Sequence, residues 1–255
     1  MEKDRLFMTV MIALLIFLGV VLLFGVTGNR PASGEQWSFS ANDSLRENNM
    51  FVDDDGTFYT TAGHTIYALS ADGNTRWSLD PGFASWYDYN YKNLRIQAAA
   101  FDNGYSFMMV IPSDRKNTLA ADGKLLAISP EGSVVWSRDA EFLKGGSLAT
   151  VDGLLVAFHN YNMSVFDTSN GTLRWSIGNV DSPVADQDGS IYLIKDPGEN
   201  RLVTGSLEVV AFGPDGTRRW SHLLSEYGID RLAYGSSLMF LNETLYLPYY
   251  NGIIA

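Results

Sequence analysis

The chain has 255 residues, 46% hydrophobic and 18% charged, a globular composition that excludes a collagen-like, low-complexity or wholly disordered protein. Its formal charge of -11 repels phosphate and argues against a nucleic-acid partner. The absence of cysteine excludes disulfides, thiolate nucleophiles, cysteine-type zinc sites and iron–sulfur clusters.

The chain opens on five mostly charged residues, 1–5, followed by 21 uncharged, almost wholly apolar positions from Leu6 to Val26. As a helix this stretch spans ~32 Å, the thickness of a bilayer core. A signal peptide carries a shorter apolar region, ~7–15 residues, and a small-residue cleavage site. An uncleaved transmembrane anchor over residues 6–26 is therefore expected. Lys3 and Arg5 precede it and only Arg30 follows closely. This bias predicts a short cytoplasmic N-terminus and a single-pass protein of the cell membrane, its C-terminal part extracytoplasmic. Residues 27–35, with Gly28, Pro31, Ser33 and Gly34, read as a polar tether.

From residue 36 to 255 the chain is organised by repetition. One phrase recurs four times: IYALSADGNTRWSLD from Ile66, LLAISPEGSVVWSRD from Leu125, MSVFDTSNGTLRWSIG from Met163 and VVAFGPDGTRRWSHL from Val209. Each is a strand, a tight turn at an Asp-Gly, Glu-Gly or Asn-Gly pair, and a second strand with Trp four residues after the glycine. The tryptophans are Trp77, Trp136, Trp175 and Trp220, each followed by serine, and Trp37-Ser38 is a fifth such pair. A second hairpin precedes each phrase, turning at Gly56, Gly104, Gly153 and Gly189. Two hairpins give four antiparallel strands per repeat, and a repeated four-stranded unit of ~40 residues predicts β-propeller blades. A single blade exposes two apolar faces that only neighbouring blades can cover.

The phrase YALxxxDGxxxWS, preceded by DGxxY, resembles the PQQ-like (quinoprotein-type) β-propeller repeat, and the resemblance covers about residues 37–255. It implies an all-β propeller of four full blades with partial blades at both ends. It also implies a structural blade-docking role for Trp77, Trp136, Trp175 and Trp220, and likewise for Trp37. If the strand at Trp37 completes the last blade, the ring closes with five blades. The family resembles seven or eight more often, so an array lacking its C-terminal blades is the preferred expectation. A catalytic quinoprotein of this kind would show adjacent cysteines and calcium ligands, and none can be carried onto this sequence. No cofactor is expected.

Other chemistry has little foothold. Asp53-Asp54-Asp55-Gly56 fails an EF-hand register, because Phe51 and Ala62 stand where ligands are needed. The three histidines, His64, His159 and His222, lack ligand spacing. Sequons begin at Asn42, Asn162, Asn170 and Asn242.

Repeat lengths vary at one place. The second and fourth repeats are longer between their second and third strands, from Pro112 and from Lys195, and DPGFASWYDYNYKN links the first two blades. In a propeller these segments share one face, opposite the tight turns. That face is expected to gather Phe83, Trp86, Tyr87, Tyr89 and Tyr91 from the link, His64, His159 and Tyr161 from short loops, and Tyr249 and Tyr250. These aromatics either cap the propeller rim or form a docking surface for a protein or glycan. The functional expectation is a membrane-tethered binding or scaffolding module without catalysis. The alternative is part of a quinoprotein-like dehydrogenase whose catalytic blades are missing from this chain.

Overall fold

The computed structural model describes residues 37–41, 50–83, 91–114, 123–140, 146–195, 207–229, 232 and 237–255. The expected anchor over residues 6–26 lies outside them. No described helix is long and apolar enough to cross a membrane; a 3-10 turn, Leu224–Tyr227, is the one helical element described. The chain divides into two compact units, Met1–Ser38 and Phe39–Ala255. Trp37 falls in the first of these units and is exposed.

The second unit is all-β and propeller-like, built of successive antiparallel sheets. The first holds β1 (Phe51–Val52), β2 (Phe58–Ala62), β3 (Thr65–Leu69) and β4 (Thr75–Leu79), in that order. The second holds β5 (Tyr91–Asp102), β6 (Tyr105–Asp114), β7 (Gly123–Ile128) and β8 (Val134–Ala140). The third holds β9 (Gly146–Val151), β10 (Leu154–His159), β11 (Asn162–Asp167) and β12 (Leu173–Gly178). The fourth holds β13 (Val180–Ala185), β14 (Ile191–Lys195), β15 (Glu208–Phe212) and β16 (Arg218–Leu223). A three-stranded fifth sheet holds β17 (Met239–Leu241), β18 (Thr244–Tyr249) and β19 (Gly252–Ile254). Part of the extra length of the second repeat is strand rather than loop: β5 and β6 have 12 and 10 residues, and Pro112–Asp114 ends β6.

Alternation explains why the middle strands read as continuous apolar runs. In β6, Phe107, Met109 and Ile111 face the third sheet, joining Leu155 and Ala157 in one core. Met108 and Val110, in between, join Ile66 and Leu94 in the core shared with the first sheet. The third and fourth sheets close on Leu154, Met163, Ile191 and Leu193, and the fourth and fifth on Ile194, Val209 and Leu247. A strand covered on both faces has no solvated side to keep polar.

Three successive interfaces carry the same contact. A Cβ on Gly132 would lie 2.6 Å from Cβ of Trp77, one on Gly171 2.6 Å from the Trp136 ring, and one on Gly216 2.6 Å from the Trp175 ring. These glycines stand at φ of 84°, 68° and 82°, so the turn and the neighbouring indole both demand the missing side chain. Trp136 Nε1 also donates to Thr168 O at 2.8 Å and Trp175 Nε1 to Pro214 O at 3.2 Å. The tryptophans are aimed by a bulge. Register shifts at the same point of β3–β4, β7–β8, β11–β12 and β15–β16, leaving Arg76, Val135, Arg174 and Arg219 as the extra residue before Trp. Opposite each indole stands a small residue or valine: Ala68, Ala127, Val165 or Ala211.

Trp220 departs from the pattern implied for it. It is 39% exposed, against 9% for Trp77 and Trp136. Its ring instead neighbours Tyr192 at 5.9 Å and His222 at 5.3 Å.

The first and fourth repeats share a hairpin lock. Asp53 Oδ1 accepts N–H bonds from Asp55 and Thr57, and Oδ2 accepts the Tyr59 hydroxyl at 2.8 Å. Asp186 does the same for Asp188, Ser190 and Tyr192. The bulge arginines reach back to these hairpins, Arg76 to Thr57 Oγ1 and Arg219 to Ser190 Oγ. Burial, with the Asp53 carboxylate beside it, pushes the Tyr59 hydroxyl up to about 12.

Two outcomes are expected. Burying an indole removes ~150–250 Å² from water, so Trp136→Ala should cost ~3–5 kcal/mol in denaturant unfolding and Trp220→Ala distinctly less. Equal costs would contradict the docking assignment. The raised Tyr59 value adds stability that is complete below the unfolded value of about 10 and declines as pH rises from there toward 12. Unfolding free energy should therefore fall less steeply between pH 9 and 11.5 in Tyr59→Phe than in the parent. Identical slopes would show that the hydroxyl does not sense its burial.

Candidate functional site

Antiparallel connectivity sorts the turns to two ends of the sheets. First-to-second and third-to-fourth strand turns lie at one end; second-to-third turns and inter-sheet links lie at the other. The second is the long-loop end.

There, Trp86, Tyr87 and Tyr89 lie outside the described residues, and Tyr91 is the first residue of β5. Phe83 is not a surface aromatic. It is 4% exposed within the core of the first and second sheets, with Lys124 Nζ 4.7 Å from its ring centroid. That ammonium is held by Pro81 O at 3.0 Å and by Gly82 O. His159 closes β10 and is also buried, which pushes its imidazole below the usual histidine range. Both residues belong to the packed interior instead of an exposed docking face. Tyr249 packs against the core of the fourth and fifth sheets. Tyr161 and Tyr250 are open to solvent, at 44% and 75% exposure. Tyr161 is presented by a two-residue turn in which Asn160 and Tyr161 both take positive φ, 42° and 64°. His64 sits in the β2–β3 turn.

The tight-turn end has a different chemistry. Its first-to-second turns carry Asp53–Asp55, Asp102, Asp152, and Asp186 with Asp188; its third-to-fourth turns carry Asp72, Glu131, Asp167 and Asp215. None of these turns contains Lys, Arg or His. The acids are there because their carboxylates organise the turns. Asp215 accepts Thr217 N at 3.0 Å and Thr217 Oγ1 at 2.6 Å, and Asp72 accepts the Ser70 hydroxyl and Asn74 Nδ2. These bonds hold both carboxyls below the usual range. The Asp167 carboxyl falls to about 2, through Ser169 first and Arg174 second.

A cleft of about 390 Å³ opens at this end between the third and fourth sheets. Ala149, Thr150, Val151 and Val156 form one wall. Pro183, Val184, Ala185 and Ile191 form the other, with Asp186 and Gln187 at the turn. The varying repeat lengths point to the long loops and away from this cleft. Its one signal in the sequence is Ser182-Pro183 in β13, which breaks the alternation of a regular strand. Among the described residues no three His, Asp or Glu side chains gather as a metal site.

No curated protein matches the sequence. Among solved structures, that of the eukaryotic initiation factor aligns with a TM-score of 0.53 at 11% identity, covering 83% of this chain and 50% of that one. BamB from Moraxella catarrhalis aligns with a TM-score of 0.49 at 13% identity, covering 82% and 59%. A europium-containing methanol dehydrogenase aligns with a TM-score of 0.48 at 16% identity, covering 84% and 49%. The chain thus spans half to three-fifths of the length of these structures, and identities this low speak to fold alone. Family membership rests on sequence: residues 98–233, just over half of the chain, match the family described as outer membrane protein assembly factor BamB, and the chain belongs to that family.

Proposed function

We propose that the protein is a non-catalytic, protein-binding scaffold: a β-propeller module tethered by residues 6–26, held on the extracytoplasmic side of a membrane and serving protein assembly there. The observation that carries this reading is the match of residues 98–233 to an assembly-factor family. The polar chemistry agrees with it. The carboxylates with lowered pKa, Asp72, Asp167 and Asp215, and the raised tyrosines, Tyr59 and Tyr192, are all engaged in hairpin hydrogen bonds.

The loop end is the first candidate for partner contact. Tyr161 and Tyr250 are exposed there, and the link that bears Trp86, Tyr87 and Tyr89 starts from the buried Phe83. Aromatic side chains with polar tips suit interfaces, and Trp and Tyr are enriched among residues that dominate binding.

The protein should sediment with membranes and lose its β domain to protease added from the non-cytoplasmic side; recovery as a soluble form starting near Asn29 would remove the tether from the account. Trp86→Ala/Tyr89→Ala should lower capture of the native protein partner at least ~10-fold at an unchanged melting temperature. Unchanged capture, or capture of glycans in place of protein, would move the contact elsewhere or change its class.

A further inference from the structure

The cleft between the third and fourth sheets runs along strand edges. Successive residues of a strand point to opposite faces, so a cavity touching three in a row must follow the edge of that strand. It touches Ala149, Thr150 and Val151 of β9 and Pro183, Val184 and Ala185 of β13. The space is therefore a slot between two terminal strands.

Its origin lies in β13. Asp181 pairs with Ile194 and Val184 with Tyr192, leaving Ser182, at φ 51°, and Pro183 outside the ladder. A terminal strand carrying proline and a bulge is poorly suited to add another strand. β9 is the opposite case: Gly146–Val151 has no charge and no proline, and among the described residues it is paired on one edge, by β10. One wall thus offers backbone and the other offers aliphatic surface.

The mouth is acidic. Asp152 follows β9, and its Cβ lies 3.8 Å from where a Cβ on Gly189 would stand, so the two turns meet there. The Asp186 carboxylate spends three acceptor positions on Asp188 N, Ser190 N and the Tyr192 hydroxyl, of about four that it has. No cation is among the described residues lining the slot, and the Arg219 guanidinium nearby is bonded to Ser190 Oγ, leaving the fourth acceptor position of Asp186 for a ligand.

We propose that this slot binds an extended, apolar segment of a protein partner that carries one lysine or arginine: its backbone lies beside β9, its small side chains fill the space between Val151 and Val184, and its cation reaches Asp186. The slot volume falls within the range of ligand sites, ~300–1,000 Å³. Main-chain pairing supplies affinity in strand addition and pockets for alternate side chains supply specificity. The net charge of -11 attracts a basic segment and repels an acidic one. This site extends the scaffold reading, from which it takes only the class of its occupant, and lies at the opposite end from the aromatic link.

The test is calorimetric titration of the full chain with a blocked five-residue peptide of valine and alanine around a central lysine, and with its glutamate counterpart. The lysine peptide should bind, at least ~10-fold more tightly than the glutamate peptide and more weakly in high salt. Gln187→Lys places a cation at the mouth and Ala149→Leu narrows the slot from an exposed position; each should weaken binding at least tenfold at the parent melting temperature. Equal binding of both peptides, insensitivity to both variants, or no binding at millimolar peptide would overturn the proposal. So would equal binding of butylammonium alone, which would make the occupant a small organic cation. Trp86→Ala/Tyr89→Ala should leave peptide binding intact, which separates failure of this site from failure of the loop-end contact.

Discussion

An indole pressed against the backbone of the next hairpin is the contact on which this structure depends. Trp77, Trp136 and Trp175 each lie where a side chain on Gly132, Gly171 or Gly216 would have to be. The contact asks four things of the sequence at once. It needs a glycine at positive φ, a tryptophan four residues after the turn, a bulge before that tryptophan, and alanine or valine across the ladder. Because it links each of the first three sheets to its successor, the repeat is legible as a phrase rather than as scattered hydrophobic positions. A sheet with two apolar faces is unstable alone, and the tryptophan joins the faces that burial requires to meet.

That constraint explains how much of the fold could be read from sequence. Turn glycines and alternating apolar runs indicate antiparallel sheets of four strands because turn chemistry and side-chain period are local. The lengths of β5 and β6 were not legible, since Pro112-Ser113-Asp114 has loop-like composition and still pairs with Tyr91–Leu94. The burial of Phe83 was hidden for another reason: its neighbours in sequence suggest a surface link, while Lys124 and the core beneath it come from elsewhere in the chain. Trp220 carries the same phrase as Trp77 and is nonetheless 39% exposed, so burial of the indole is not encoded in a residue's own repeat. The slot beside β13 arises from a bulge at Ser182-Pro183, and its second wall belongs to a different repeat.

The clustering of turn carboxylates follows from folding chemistry as well. Asp and Asn suit tight turns because their side chains bond to backbone two residues on. Repeating such turns at one end of successive sheets gathers carboxylates there, with the bulge arginines Arg76, Arg174 and Arg219 bonded to Thr57, Asp167 and Ser190 beside them. The acidic balance of the chain is thus, in good part, the sum of its turn-forming residues. A surface produced by turn formation becomes a recognition feature where it borders an apolar slot.

If docking of each indole is what unites the sheets, stability should pass from sheet to neighbouring sheet rather than being uniform. Native-state hydrogen exchange of the parent and of Trp136→Ala, read residue by residue, measures this directly. The account predicts that loss of the indole accelerates exchange most in β5–β12, the two sheets that share its interface, with smaller effects in the first and fifth sheets. Acceleration confined to β8, or spread evenly over all five sheets, would contradict it.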